Sequence, residues 1–240
     1  MRHIPNFISS LNLASGFAAI VFLFNGDPVT ASWLILTAMI FDFFDGFAAR
    51  LLKAYSAMGK ELDSLADVVS FGVAPGLIIY TVLTKNTTIE SSGILSIKYL
   101  LVIAVTAFFP VCAALRLAKF NIDTTQSDTF RGVPTPAAAL AVVTVILSGN
   151  YSGSSLVNSF LASQAAVMIF SLIISVLMVT RIPLLSLKFH DFGIKGNEGR
   201  FLLIAVCALL VIIFRFGGIP WIIPAYLAVS IISLLFRKKV

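Results

Sequence analysis

Charge is what this chain has least of. Only 12% of its 240 residues are Asp, Glu, Lys or Arg, about half the share of an ordinary soluble domain. No polar stretch is long enough to make a separate soluble domain. Cysteine is nearly absent too: Cys112 and Cys207 both lie in apolar runs, which argues against a disulfide framework and for small core residues. Apolar residues fill the space instead, at 59% of the chain with mean hydropathy +1.01. Runs of about 20 apolar residues recur along the whole length, the mark of membrane-spanning helices. The composition predicts an all-α polytopic membrane helix bundle, one integral-membrane domain over 1–240.

A net charge of +6 does not point to nucleic acid in such a chain; lysine and arginine anchor cytoplasmic loops beside anionic lipid. The start, MRHIPNFISSLNLASGFAAIVFLF, has the basic lead and apolar run of a signal peptide. It lacks a small-x-small cleavage site before Asp27 and reads as retained.

Eight spans are predicted, over 7–25, 29–53, 59–83, 96–120, 134–149, 159–180, 201–216 and 219–236, with polar turns at 86–95 and 149–158. With the N-terminus inside and each helix crossing, fourteen basic residues fall inside, including Arg50, Lys53, Lys60, Arg116, Lys119, Arg131 and the run Arg237-Lys238-Lys239. Three (Lys85, Lys98 and Arg215) fall outside. That bias predicts both termini in the cytoplasm and an even number of spans. The terminal basic run reads as a headgroup anchor.

Against this apolar background stands Ile40 to Asp67, IFDFFDGFAARLLKAYSAMGKELDSLAD. A charge in the hydrocarbon costs at least ~2.5–3.5 kcal/mol, so four aspartates here ask for a function. Asp42 and Asp45 are three apart and share a helix face, with Ala49 one turn on; Gly59, Asp63 and Asp67 step by four and share another. A short turn near Lys53–Ser56 makes the two helices an antiparallel hairpin (29–83), with both acidic faces near the cytoplasmic boundary. Converging carboxylates repel unless cations sit among them. All-oxygen ligation suits Mg²⁺, Mn²⁺ or Ca²⁺, and neither His nor Cys is nearby to favour zinc. Two divalent ions held this way suit phosphoryl transfer. Gly46 and Gly59 leave room at the backbone, and Arg50 and Lys53 are placed to clamp phosphate oxygens. Two other readings stand beside this one: ion pairs with Arg50, Lys53 and Lys60 that merely anchor the hairpin, and an ion-coupled transporter, which needs neither the glycines nor the interleaved arginine.

The stretch reads D-x2-D-G-x2-A-R-x8-G-x3-D-x3-D and resembles the signature of the CDP-alcohol phosphatidyltransferase family at Asp42, Asp45, Gly46, Ala49, Arg50, Gly59, Asp63 and Asp67. The resemblance implies that family's membrane fold. It implies metal ligation, by Mg²⁺ or Mn²⁺ and expected as two ions, at Asp42, Asp45 and Asp63, with Asp67 completing the metal site and acting as general base. It places Gly46, Ala49, Arg50 and Gly59 along the CDP-lipid. It gives the first helix a nucleotide-facing role through Asn6 and Asn12, for which a polar interhelical contact is the other reading.

A second stretch, RLAKFNIDTTQSDTFRGVPTPAAA from Arg116 to Ala139, is similar to a pattern of the serine-accepting, membrane-integral branch of the same family. So are Asp67-Val-Val-Ser-Phe-Gly-Val-Ala-Pro and, more loosely, TRIPLLSLK. The implied reaction moves a phosphatidyl group from CDP-diacylglycerol to L-serine, giving phosphatidylserine and CMP. Serine is a zwitterion; Arg116, Lys119 and Arg131 offer cations to its carboxylate, and Asn121 and Ser70 offer polar partners. Arg116 and Lys119 also read as positive-inside anchors, and a glycerol 3-phosphate acceptor would want the same cations. The site is expected to open to the cytoplasm and sideways to the bilayer. The family resemblance also makes a homodimer an expected state, with no interface legible in the chain. His190 and Asp191, in the loop 188–200, read as solvated, since adjacent residues do not share a helix face.

Overall fold

The computed structural model describes residues 3–85, 96–122, 130–185 and 197–236. The turn at 86–95, the His190–Asp191 pair and the basic run at 237–239 lie outside them. Helices make up nearly all of it: α1 His3–Phe24, α2 Pro28–Leu51, α3 Ala57–Asp67, a wider π turn Val68–Val73, α4 Ala74–Lys85, α5 Ile97–Ile122, α6 Thr135–Tyr151, α7 Ser155–Ala162, α8 Gln164–Val179, α9 Glu198–Phe214, a 3₁₀ segment Arg215–Trp221 and α10 Ile222–Phe236. One two-residue antiparallel ladder, β1 Phe130–Arg131 with β2 Pro183–Leu184, joins two loops.

The chain is a helical membrane protein, its described residues almost wholly in helices. Among the described residues, four helical stretches are long and apolar enough to cross a bilayer: His3–Phe24, Ala57–Lys85, Ile97–Ile122 and Glu198–Ser233. A fifth is obtained if α6 and α7, bent by 119°, count as one broken span. The stretch from Glu198 folds back on itself. Gly199 at its start lies against Ser233 near its end, and Gly218 packs on the carbonyl of Leu210, so α9 and α10 form an antiparallel hairpin. Twenty-two residues at 1.5 Å each give α1 a length of about 33 Å, enough for the hydrocarbon core.

Helix ends follow local chemistry. Asp27 caps α2 by accepting the Thr30 N–H at 2.9 Å, Pro28 occupies the first turn, and Gly26 takes the positive φ of the preceding turn. The Thr30 hydrogen bonds hold the Asp27 carboxyl below the usual carboxylate range. Ser56 caps α3 through the Gly59 N–H at 3.0 Å.

The buried stripe of α1 is Pro5, Ser9, Asn12, Gly16, Ala19 and Leu23, alternating steps of four and three. Small and polar side chains let this helix lie close to both α2 and α3. A Cβ on Gly16 would come 2.8 Å from the Cα of Ser70, so α1 touches the backbone of the π turn. The expected hairpin of α2 and α3 is thereby opened: the two helices approach each other little directly, and each packs on α1. Further in, Gly72 and Gly76 admit Pro110 and Ala113 of α5, and α6 is buried on most of its circumference.

Two sequence expectations shift. The polar segment 149–158 yields early to α7, which starts at Ser155. The span expected at 159–180 is broken at Ser163, whose backbone is extended and whose hydroxyl accepts the Ala166 N–H to start α8.

Candidate active site

Three carboxylates converge where α2 faces α3. Asp42, Asp63 and Asp67 each offer an oxygen, all within 4.8 Å of one another. Asp67 is buried at the last turn of α3, directly before the π turn. The fourth aspartate, Asp45, is buried one turn along α2 and accepts the Ser9 hydroxyl at 2.6 Å. Asn12 donates its side-chain amide to Asp67 at 3.1 Å. Helix α1 therefore holds one acid from each neighbouring helix.

The donor set fits a hard divalent cation. It is all oxygen, Asp63 Oδ1 is buried without a hydrogen-bond partner, and among the described residues no lysine or arginine forms an ion pair with the four acids. The anchoring reading is left without the ion pairs it requires. Four acids at one place, each in reach of another's field, are a costly arrangement without a counter-charge.

Beside the cluster lies a cleft of about 750 Å³. Its lining includes Gly46, Ala49, Arg50 and Gly59, the four residues that the motif resemblance assigns to the CDP-lipid, and Asn6 of the first helix, together with Ser9, Asp45, Tyr55, Lys60, Asp63 and Phe120. The glycines differ. A Cβ on Gly46 would meet nothing within 4 Å, so that backbone faces the open cleft; one on Gly59 would lie 2.8 Å from Asn6 Oδ1 and 3.0 Å from Ser56 Oγ. Lys53 does not line the cleft; it sits exposed in the turn after α2 with φ at +49°.

The residues assigned to the acceptor are dispersed. Arg116, on α5, donates Nη1 to Thr135 Oγ1 at 3.1 Å; its Nε is buried and unpartnered, and it lies in the field of Asp67. Asn121, at the end of α5, accepts Lys60 Nζ on its carbonyl at 2.8 Å and donates its amide to Ser64 at 2.9 Å. Ser70 is fully buried in the π turn and donates to the Asn12 carbonyl at 3.0 Å. Lys119 is exposed on α5. Arg131 enters the ladder through its backbone. Of these, Arg116 is the cation in the field of Asp67, and Ser70 bonds the backbone of the Asn12 that holds Asp67.

Ser9 and Thr135 were not among the residues singled out from the sequence. The available signal for Ser9 was its spacing, three from Asn6 and three from Asn12, which puts three polar residues near one face of an apolar helix.

A model of the family described as CDP-alcohol phosphatidyltransferase matches residues 2–182. A CDP-diacylglycerol–serine O-phosphatidyltransferase of Helicobacter pylori is 34% identical over 237 residues, covering 97% of this chain and 91% of that protein. A Bacillus subtilis protein of the same name is 43% identical over 152 residues, covering 63% and 78%. An archaetidylserine synthase of Methanothermobacter thermautotrophicus is 35% identical over 151 residues, covering 62% and 60%. The acid cluster, the cleft and the match along most of its length place the chain in the CDP-alcohol phosphatidyltransferase family of membrane enzymes.

Proposed function

We propose that this enzyme transfers the phosphatidyl group of CDP-diacylglycerol to L-serine, giving phosphatidylserine and CMP. The observation that carries the reading is the convergence of Asp42, Asp63 and Asp67 beside a cleft lined by the other motif residues. The choice of serine is supported by the names of the relatives above and by Arg116, a cation for a carboxylate, in the field of Asp67.

Asp42, Asp45, Asp63 and Asp67 would hold Mg²⁺ or Mn²⁺, expected as two ions. When bound, the metal neutralises charge on the pyrophosphate and eases ionisation of the acceptor hydroxyl. The chain's own residues do the rest. Asn6, Gly46, Ala49 and Gly59 admit the CDP moiety, and Arg50 takes phosphate oxygens. Arg116 orients the serine carboxylate, with Lys119, Asn121, Arg131 and Ser70 as the other acceptor-side candidates. Asp67 takes the serine hydroxyl proton. The serine oxygen bonds to the lipid-linked phosphorus as the bridging P–O bond breaks, and CMP leaves with that electron pair. A direct attack needs no nucleophile from the protein, and four acids suit it better than Ser56 or Ser64. Glycerol 3-phosphate is the runner-up acceptor.

The placement proposed in the bilayer is eight crossings of the cytoplasmic membrane, both termini and the cleft facing the cytoplasm. The count rests on the apolar runs of the sequence and the sidedness on the distribution of basic residues.

Labelled L-serine, CDP-diacylglycerol and purified protein test the reaction. The expected result is label in the chloroform-extractable lipid, with Mn²⁺ or Mg²⁺ required. Asp67→Asn should keep CDP-lipid binding and lose about 10²–10⁴-fold in turnover, the scale of general-base catalysis. Near-wild-type turnover in that variant would remove Asp67 from the base role.

A further inference from the structure

The family match ends at residue 182. The hairpin α9–α10 lies beyond it, yet α10 reaches back to the chain that leaves α8. Tyr226 and Ser230, one turn apart on α10, hold the backbone of Leu185 at both its polar groups. The Tyr226 hydroxyl donates to the Leu185 carbonyl at 3.1 Å, and the Leu185 N–H donates to Ser230 Oγ at 3.3 Å. Ser230 is fully buried.

Leu185 directly follows β2, whose partner is Phe130–Arg131. The link continues with the Gly132 N–H donating to the Ile182 carbonyl at 2.9 Å and the Val133 N–H to the Leu177 carbonyl at 3.0 Å. Gly132 has φ at +75°, and a Cβ there would lie 2.6 Å from the Thr180 carbonyl, so this pass requires glycine. Two residues beyond Val133, Thr135 opens α6 and accepts Arg116 Nη1. A line of hydrogen bonds and chain thus runs from α10 through the ladder to Arg116. Tyr226 and Arg116 also lie in each other's field.

Arg116 is held at one nitrogen, has a second buried and unpartnered, and lies in the field of Asp67. Its usefulness to an acceptor depends on where that free donor points, because sub-ångström placement governs reactivity. The CDP-lipid cleft is built from α1, α2, α3 and the end of α5, and no α10 residue lines it.

We propose that Tyr226 and Ser230 are positioning residues for the acceptor: through Leu185, the ladder and Thr135 they set Arg116 for a carboxylate-bearing alcohol. The α9–α10 hairpin is then an acceptor-side buttress outside the stretch that the family model matches. This deepens, and rests on, the serine reading above.

Tyr226→Phe and Ser230→Ala, purified in mixed micelles, test it by separate titrations of serine and CDP-diacylglycerol, with thermal unfolding as the check on folding. Each variant is expected to raise the serine KM by about three- to tenfold, the scale of one lost hydrogen bond. The KM for CDP-diacylglycerol should stay within about twofold of wild type. An unchanged serine KM, or a parallel rise in both KM values with a lower unfolding midpoint, overturns the proposal. If wild type turns over only with another alcohol, the serine reading fails by itself. Titrating that alcohol then decides the hairpin's role: a selective rise in its KM supports the positioning, and no rise overturns it.

Discussion

Gly46 and Gly59 are both fixed points of one motif, and the structure gives them opposite surroundings. Gly46 faces open space, whereas Gly59 is pressed against Asn6 and Ser56. Gly46→Ala is therefore expected to fold with an unchanged unfolding midpoint and to raise the CDP-lipid KM, because the new methyl enters the cleft. Gly59→Ala must displace Asn6 or the Ser56 cap, and a tight site of this kind costs about 1–3 kcal/mol, read as a lower unfolding midpoint. Equal midpoints for the two variants would contradict the assignment. At this scale the motif was legible because ligand spacing is a property of sequence. The partner of Asp45 was not: a serine inside an apolar helix commonly bonds the carbonyl four residues back, and Ser9 does reach Pro5 in that way as well as Asp45. Nothing in α1 alone says which partner matters.

Among elements, α1 organises the site. It packs on both α2 and α3, gives Ser9 to one and Asn12 to the other, and touches the π turn at Gly16. Gly16→Val would push α1 off Ser70. The expected outcome is a lower unfolding midpoint with serine-dependent and CDP-lipid-dependent steps impaired together, since both acid faces lose their common support; normal stability and kinetics would show that α1 has slack at this point. The helices were legible from apolar runs, and most predicted spans lie on observed helices. Three features were not. The π turn after Asp67 is a change of hydrogen-bond register that leaves no compositional mark. The start of α7 hides in a Gly-, Asn- and Ser-rich stretch that reads as turn. The ladder between 130–131 and 183–184 joins two of the stretches that resemble the serine-accepting branch, a contact across more than fifty residues that only the fold supplies.

For the whole molecule, the distribution of charge governs how the helices meet the bilayer. Among the described residues, length and composition identify four candidate spans, or five with the bent pair, and one of these stretches folds back on itself as α9 and α10. The basic residues predict both termini and the α2–α3 turn on the cytoplasmic side, with the α1–α2 turn opposite. In a chain with Cys112 and Cys207 replaced, Asn25→Cys should react with an impermeant maleimide added outside intact cells. Met58→Cys, 71% exposed, should react only after permeabilisation. The reverse pattern would invert the topology.

The central claim is tested most directly by CMP release from CDP-diacylglycerol with one acceptor at a time, with divalent metal and with chelator. The account predicts release that requires both L-serine and the metal. Release with glycerol 3-phosphate and not with serine would leave the acid site standing and contradict the acceptor; no release with any alcohol would contradict the transferase itself.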